Sequence, residues 1–231
     1  MLGKKDSVVL LSAGLDSTVN FFAALQESQV QLALTFDYGQ KAAVKEIERA
    51  RVIAASQKIK HLVVNIPWLK DLGQSSLTHS NVAIPTGKKV SLDNKQIASA
   101  AAKSVWVPNR NGVFLNIAAS FAESLSAEVI IPGFNREEAA TFPDNSLDFI
   151  RAVRKSFSYS THNGIDIHCY TIAMDKIEIV ELGKKLNVPF DQLWPCYQAH
   201  ELWCGECESC KRAKRAFLAA RLELRHLFEK Y

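Results

Sequence analysis

Val8-Val9-Leu10-Leu11-Ser12-Ala13-Gly14-Leu15-Asp16-Ser17-Thr18 is the stretch on which the fold turns. Its four apolar residues, two of them β-branched, read as a buried strand. The strand runs into a loop of small residues. The loop opens into Ser17-Thr18-Val19-Asn20-Phe21-Phe22-Ala23-Ala24-Leu25, whose apolar spacing reads as a helix. A strand, a tight loop and a helix N-terminus in succession aim several backbone N–H groups and the positive end of a helix dipole at one point. An anion belongs there. The loop is too short for a Walker A motif and lacks its Gly-Lys-Ser/Thr ending, and it has no Gly-x-Gly-x-x-Gly. Small residues also serve turns and caps that bind nothing, and Asp16 suits a helix cap as well as a ligand.

Working outward, strand-like runs follow at 31–36, 61–66, 128–133 and 165–170. Helical spacing lies between them, near 17–27, 41–57, 112–126, 146–157 and 176–186. This alternation predicts an α/β fold: a doubly wound, parallel, five-stranded sheet covered on both faces. Asp175 and Glu178 form a capping box for the helix near 176–186. Residues 67–94 read as irregular, and the tail from Lys211 reads as helical. In open α/β sheets ligands sit beyond the carboxyl ends of the strands. The sequence loads those ends with the loop at 12–17, with Asp37-Tyr38-Gly39-Gln40, and with Gly133-Phe134-Asn135-Arg136-Glu137-Glu138.

The 231 residues suit one sheet domain over 1–190 and an appended element over 191–231. Hydrophobic residues make up 48% and charged residues 23%, as in ordinary globular proteins. No apolar run approaches the ~18 residues of a membrane span. The first residues lead straight into a strand, so no signal peptide is expected and the cytoplasm is the expected location. A net charge of +4 permits small anionic substrates without demanding nucleic acid. Four of the five cysteines cluster late. Cys204-Gly205-Glu206-Cys207-Glu208-Ser209-Cys210 carries three, and Cys196 precedes them. Four thiolates suit a closed tetrahedral zinc site of structural type. An iron–sulfur cluster uses the same ligands and remains the competitor. Cys169, inside a strand-like run, reads as a small buried hydrophobe.

The loop Ser12-Ala13-Gly14-Leu15-Asp16-Ser17 resembles the Ser-Gly-Gly-x-Asp-Ser signature of the PP-loop ATP pyrophosphatases, with Ala13 where that family usually has Gly. Further segments extend the resemblance over nearly the whole chain, to the 7-cyano-7-deazaguanine synthases of the QueC family. They are 35–40, Val107-Pro108-Asn109-Arg110-Asn111, Phe142-Pro143-Asp144-Asn145-Ser146, Met174-Asp175-Lys176-Ile177-Glu178 and Trp194-Pro195-Cys196-Tyr197 with the cysteine cluster. The resemblance implies the adenine nucleotide alpha hydrolase-like fold and a homodimer. It implies ATP with Mg2+ and a structural Zn2+ held by Cys196, Cys204, Cys207 and Cys210. It implies ATP-driven conversion of 7-carboxy-7-deazaguanine and ammonia to the nitrile, with AMP and pyrophosphate released.

Residue roles follow from the same resemblance. Leu11, Ser12, Ala13, Gly14, Leu15, Asp16, Ser17 and Thr18 would hold the ATP phosphates, and Phe36, Asp37 and Tyr38 would edge the adenine. Ser12, Asp16, Ser17, Arg110 and Lys176 would serve the chemistry. Arg110, Asn135, Glu138, Phe142 and Asp144 would meet the deazaguanine. The chain departs from better-known members at 140–145 and at Cys169-Tyr170, which bears on the acceptor. Three other readings stand beside this one. They are a tRNA-modifying relative, a relative acting on another acceptor such as a protein or a deazapurine conjugate, and a zinc-stabilised nucleotide binder without catalysis. The tail from Lys211 has seven Lys/Arg against two Glu, but its apolar stripe says that it packs.

Overall fold

The computed structural model describes residues 3–231. Five strands, β1 (Asp6–Leu10), β2 (Gln29–Asp37), β3 (His61–Asn65), β4 (Val129–Ile131) and β5 (Asp166–Ile167), form one sheet in the order β3-β2-β1-β4-β5. Every pairing is parallel. Eight helices connect or follow them: α1 (Leu15–Glu27), α2 (Ala43–Ser56), α3 (Lys95–Val105), α4 (Arg110–Ser124), α5 (Arg136–Ala139), α6 (Leu147–Ser160), α7 (Lys176–Lys185) and α8 (Glu208–Ala219).

The period-two alternation of a strand divides the core. On β1, Val9 faces one apolar cluster with α1, α2, α7 and α8, through residues such as Val19, Ile53, Ile179 and Phe217. Val8 faces a second cluster with α4 and α6, through Leu115, Ile150 and Phe157. Leu32, Leu34 and Phe36 of β2 and Ile130 of β4 share the second face, and Ala33 and Ile131 the first. Both faces are therefore buried, which is why these strands read as continuous apolar runs. The doubly wound parallel fold stands. Strand order reverses at β1, so the crevice for a ligand opens between the carboxyl ends of β1 and β4.

Several boundaries differ from the sequence expectation. Strand β4 ends at Ile131 because Pro132 has no N–H for the ladder. Strand β5 holds two residues of the expected six, because the chain turns away after Ile167 at the sheet edge. Helix α1 starts at Leu15 rather than Ser17, with Gly14 as its N-cap. The expected helix from Lys211 already starts at Glu208 and stops at Ala219. Helix α3 lies where no element is expected. Asn94 caps it by accepting from Gln96 N and Ile97 N, and Ala98, Ala101, Ala102 and Val105 are its buried stripe. The Asp175–Glu178 capping box forms at the start of α7 as expected. Among the described residues no helix is long and apolar enough to cross a membrane.

Candidate active site

The loop between β1 and α1 lies at the reversal of strand order. No side chain caps α1, so its first N–H groups are free for a ligand. Ser12 and Ser17 tie the loop together. Their hydroxyls are 3.0 Å apart, and Ser17 Oγ also accepts from Ser12 N at 3.2 Å. Ala13 adopts a left-handed φ of 59°. It is fully buried, and its carbonyl accepts from Trp194 N at 2.8 Å. Gly133, just past β4, lies so close that a Cβ there would stand 2.5 Å from Ser17 N. A glycine is what lets the two loops touch.

A buried ion-pair cluster stands beside this loop. Lys176, the first residue of α7, reaches Asp16 Oδ2 at 2.5 Å and Glu138 Oε1 at 2.7 Å. Burial pushes the Asp16 carboxyl up to about 6, with Lys176 pulling it down and Glu138 adding a push upward. Burial acts on Glu138 too, but Lys176 and Arg212 more than offset it and hold its carboxyl low. The Lys176 ammonium stays protonated well above its ordinary range, because two carboxylates outweigh its burial. Asp16 Oδ1 is buried and has no hydrogen-bond partner among the described residues.

These groups open onto a cavity of about 230 Å³. Leu11, Ser12, Gly14, Leu15, Asp16 and Ser17 line it, as do Phe36, Tyr38, Arg110, Glu138, Phe142 and Lys176. Arg110 opens α4 behind Asn109, which adopts φ 51°. Its guanidinium lies 5.8 Å from the Tyr38 ring centroid and donates to Tyr38 Oη at 3.2 Å. Five expected residues lie outside the lining. Ala13 and Thr18 are buried behind the loop. Asp37 turns its carboxylate to Gly39 N at 3.0 Å. Asn135 caps α5 by accepting from Glu138 N at 2.8 Å. Asp144 gives way to Asn145 in the wall, while its carbonyl accepts from Asn111 Nδ2 at 3.3 Å.

The cavity also has walls that sequence reasoning missed. Glu46 lines it from the β2–α2 side, beside Gln40 of the loop expected at that strand end, and Tyr197 and Ser209 line it from the cysteine-rich end. Glu46 had a legible signal. It sits on the stripe Ala42, Glu46, Ala50, Ile53, a lone charge at helical spacing among apolar residues. Tyr197 and Ser209 fall between the cysteines, and nothing in their spacing pointed at the cavity.

Cys196, Cys204, Cys207 and Cys210 form the candidate metal centre. Their sulfurs lie within 4.8 Å of one another, and all four residues are buried. The Cys204 and Cys210 sulfurs are 3.9 Å apart, near the ~3.8 Å tetrahedron edge that a Zn–S bond of about 2.3 Å demands. Backbone N–H groups of Gln198 and Cys204 aim at Cys196 Sγ, and that of Cys207 at Cys204 Sγ, at 3.3–3.4 Å. Such donors favour thiolates. The donor set fits a closed four-sulfur metal site. Gly205 turns the chain with φ 74°. Trp203 and Phe228 pair as an isolated bridge that folds the C-terminus back onto the cluster.

Cysteine-rich end and sheet share one core. Cys196, Cys204, Cys207, Cys210 and Phe217 belong to the same apolar cluster as Val9, Val19 and Ile179. A strap also joins them. Lys211 Nζ donates to the carbonyls of Gly87 and Val90 at 2.7 Å each, and Gly87 N to that of Glu206 at 3.3 Å. The segment 67–94 carries two short 3-10 turns, Pro67–Asp71 and Gly87–Lys89, and is held by such backbone contacts.

Comparison with known proteins shows the family. A family model described as "Queuosine biosynthesis protein QueC" matches residues 6–221. A 7-cyano-7-deazaguanine synthase of Bdellovibrio bacteriovorus is 54% identical over 230 residues, covering 99% of this chain and 100% of the relative. One of Pelotomaculum thermopropionicum is 48% identical, covering 94% and 99%. One of Methanosarcina barkeri is 44% identical, covering 91% and 93%. With the loop, the lysine-centred ion cluster and the four cysteines all within the matched span, the chain belongs to the QueC family.

Proposed function

We propose that this chain is an ATP-dependent ligase that turns 7-carboxy-7-deazaguanine and ammonia into 7-cyano-7-deazaguanine, releasing AMP and pyrophosphate. The names of its relatives support the product. The observation that carries the chemistry is Lys176 held between Asp16 and Glu138, beside the uncapped start of α1 and in one cavity with Arg110. Backbone donors at the helix start with two fixed cations, Lys176 held in place by its carboxylates, suit phosphate chemistry by positioning.

In this reading the substrate carboxylate attacks the α-phosphorus of ATP, and the bond to the β-phosphate oxygen breaks to release pyrophosphate. Ammonia attacks the acyl carbon, loses one proton, and AMP departs with the C–O electron pair. The amide oxygen then attacks a second ATP in the same way. Loss of both amide N–H protons and of AMP leaves the nitrile. Free N–H groups and hydroxyls of residues 11–18 hold phosphates, with Ala13 and Thr18 shaping the loop from behind. The segment from Phe36 to Tyr38 edges the adenine. Lys176 and Arg110 meet the charge that develops on the phosphoryl oxygens. Asn135 orients Glu138, and Phe142 stacks on the substrate wall with Asp144 steadying Arg110. The buried free oxygen of Asp16 suits a magnesium ion that accompanies ATP and neutralises phosphate charge. The four cysteines hold zinc, which supplies folding energy rather than chemistry. The enzyme works in the cytoplasm as a homodimer, as its family resemblance implies.

Mass spectrometry of products after incubation with 7-carboxy-7-deazaguanine, ammonium and Mg-ATP tests the proposal. A nitrile with AMP and pyrophosphate supports it. Amide alone means that the second activation is lost. ATP cleaved to AMP without either product points to another acceptor, and no cleavage at all to a binder without catalysis.

A further inference from the structure

Three carboxylates line the cavity: Asp16, Glu138 and Glu46. Lys176 binds the first two at 2.5 and 2.7 Å. Glu46 is different. Its Oε2 accepts from Gln40 Nε2 at 2.8 Å, and no lysine or arginine bridges to it among the described residues. Gln40 is itself locked. It is buried, its Nε2 also donates to Phe36 O at 3.0 Å, and its Oε1 accepts from Tyr38 N at 3.0 Å. An amide pinned to the end of β2 thus fixes a carboxylate that faces the cavity with spare acceptor capacity.

We propose that Glu46 determines base specificity by accepting the adjacent ring N–H and exocyclic amino hydrogens of a guanine-type substrate. The inference rests on the proposed function and names the group that selects the base. A guanine-type edge presents two donors side by side, and a carboxylate presents two acceptors in matching geometry. An adenine edge alternates a donor with a ring-nitrogen lone pair, which an ionised carboxylate repels. Burial pushes the Glu46 carboxyl up to about 7 in the free protein. Two N–H donors would favour its ionised form and repay that burial. Asp144 and Asp37, the other acidic residues near Arg110 and Tyr38, do not line the cavity.

The test is steady-state kinetics of the wild type and Glu46→Gln. The substrates are 7-carboxy-7-deazaguanine and the analogue with hydrogen in place of the 2-amino group. Wild type should prefer the amino compound by about 10²-fold or more in kcat/KM, because the analogue leaves a buried acceptor unpaired. E46Q keeps the size and the contact to Gln40. It should lose most of that preference, while KM for ATP stays within about 3-fold. Glu46→Asp keeps the charge but withdraws it, and should retain an intermediate preference. E46Q that still discriminates, or that raises KM for ATP while leaving the deazaguanine parameters intact, overturns the proposal. Failure of the wild type to consume the amino compound is read without any variant. It overturns the proposed function, and this inference with it.

Discussion

Ala13 holds a left-handed backbone with its methyl group buried in the core. Left-handed φ costs an alanine about 1 kcal/mol, and its buried methyl gives back about 0.8 kcal/mol. Ala13→Gly should therefore leave stability unchanged within about 1 kcal/mol, as thermal melting would register. A melting point lower by many degrees would mean that the methyl contributes more than its area. Lys176 is the opposite case. Lys176→Met leaves Asp16 and Glu138 facing each other without their cation. It should cost about 3 kcal/mol and lower kcat by about 10²-fold or more, measured by denaturant unfolding and by AMP release. Glu46 carries a pH signature. Its folded pKa of about 7 lies above its ordinary 4.5, through burial, so the folded protein keeps a proton that the unfolded chain releases. Stability from this group therefore falls as pH rises between those two values, and stays lost above the higher one. E46Q does not titrate. Its melting temperature should match the wild type near pH 4.5 and exceed it near pH 8.

At the scale of elements, helix α8, the four cysteines and the strap at 87–90 stand together. The cysteine turn has little apolar surface of its own, so a metal held by the four cysteines would supply part of its folding energy. Metal analysis should return one zinc and no iron per chain. Chelation should lower the melting temperature and speed amide exchange over 204–230. Exchange should also rise at 87–90, because Lys211 and Glu206 anchor that segment. Exchange confined to the cysteine turn would show the strap to be independent. Gly205 gives a second handle. A Cβ there would stand 1.7 Å from Lys230 O, at a φ of 74°. Gly205→Ala should cost more than about 2 kcal/mol and release the C-terminal residues.

For the whole molecule, what the sequence revealed and what it hid have physical causes. Parallel strands covered on both faces must be apolar throughout, so β1, β2 and β4 were legible as runs. The β1–α1 loop and the cysteines were legible because a small-residue loop before a helix and closely spaced cysteines are distinctive patterns in any sequence. Helix α3 was hidden by its alanine stripe, which packs closely but contrasts little with its surroundings. Strand β5 was overdrawn because its apolar neighbours belong to a turn. The strap was invisible because its acceptors are backbone carbonyls, which every residue carries. Glu46 was missed although its lone charge on an apolar helix stripe was legible, because only the fold shows that this stripe borders the cavity.

One hydrogen bond reaches across almost the entire chain. Trp194 N holds the carbonyl of Ala13, and Tyr197 and Ser209 close the cavity that the first loop opens. On the ribosome, residue 13 emerges early and these partners emerge near the end of translation. The nascent polypeptide can assemble its first strands and helix, but the cavity stays roofless until synthesis is nearly finished. A fragment that ends before residue 194 therefore lacks both the partner of the Ala13 carbonyl and the Tyr197 and Ser209 walls of the cavity.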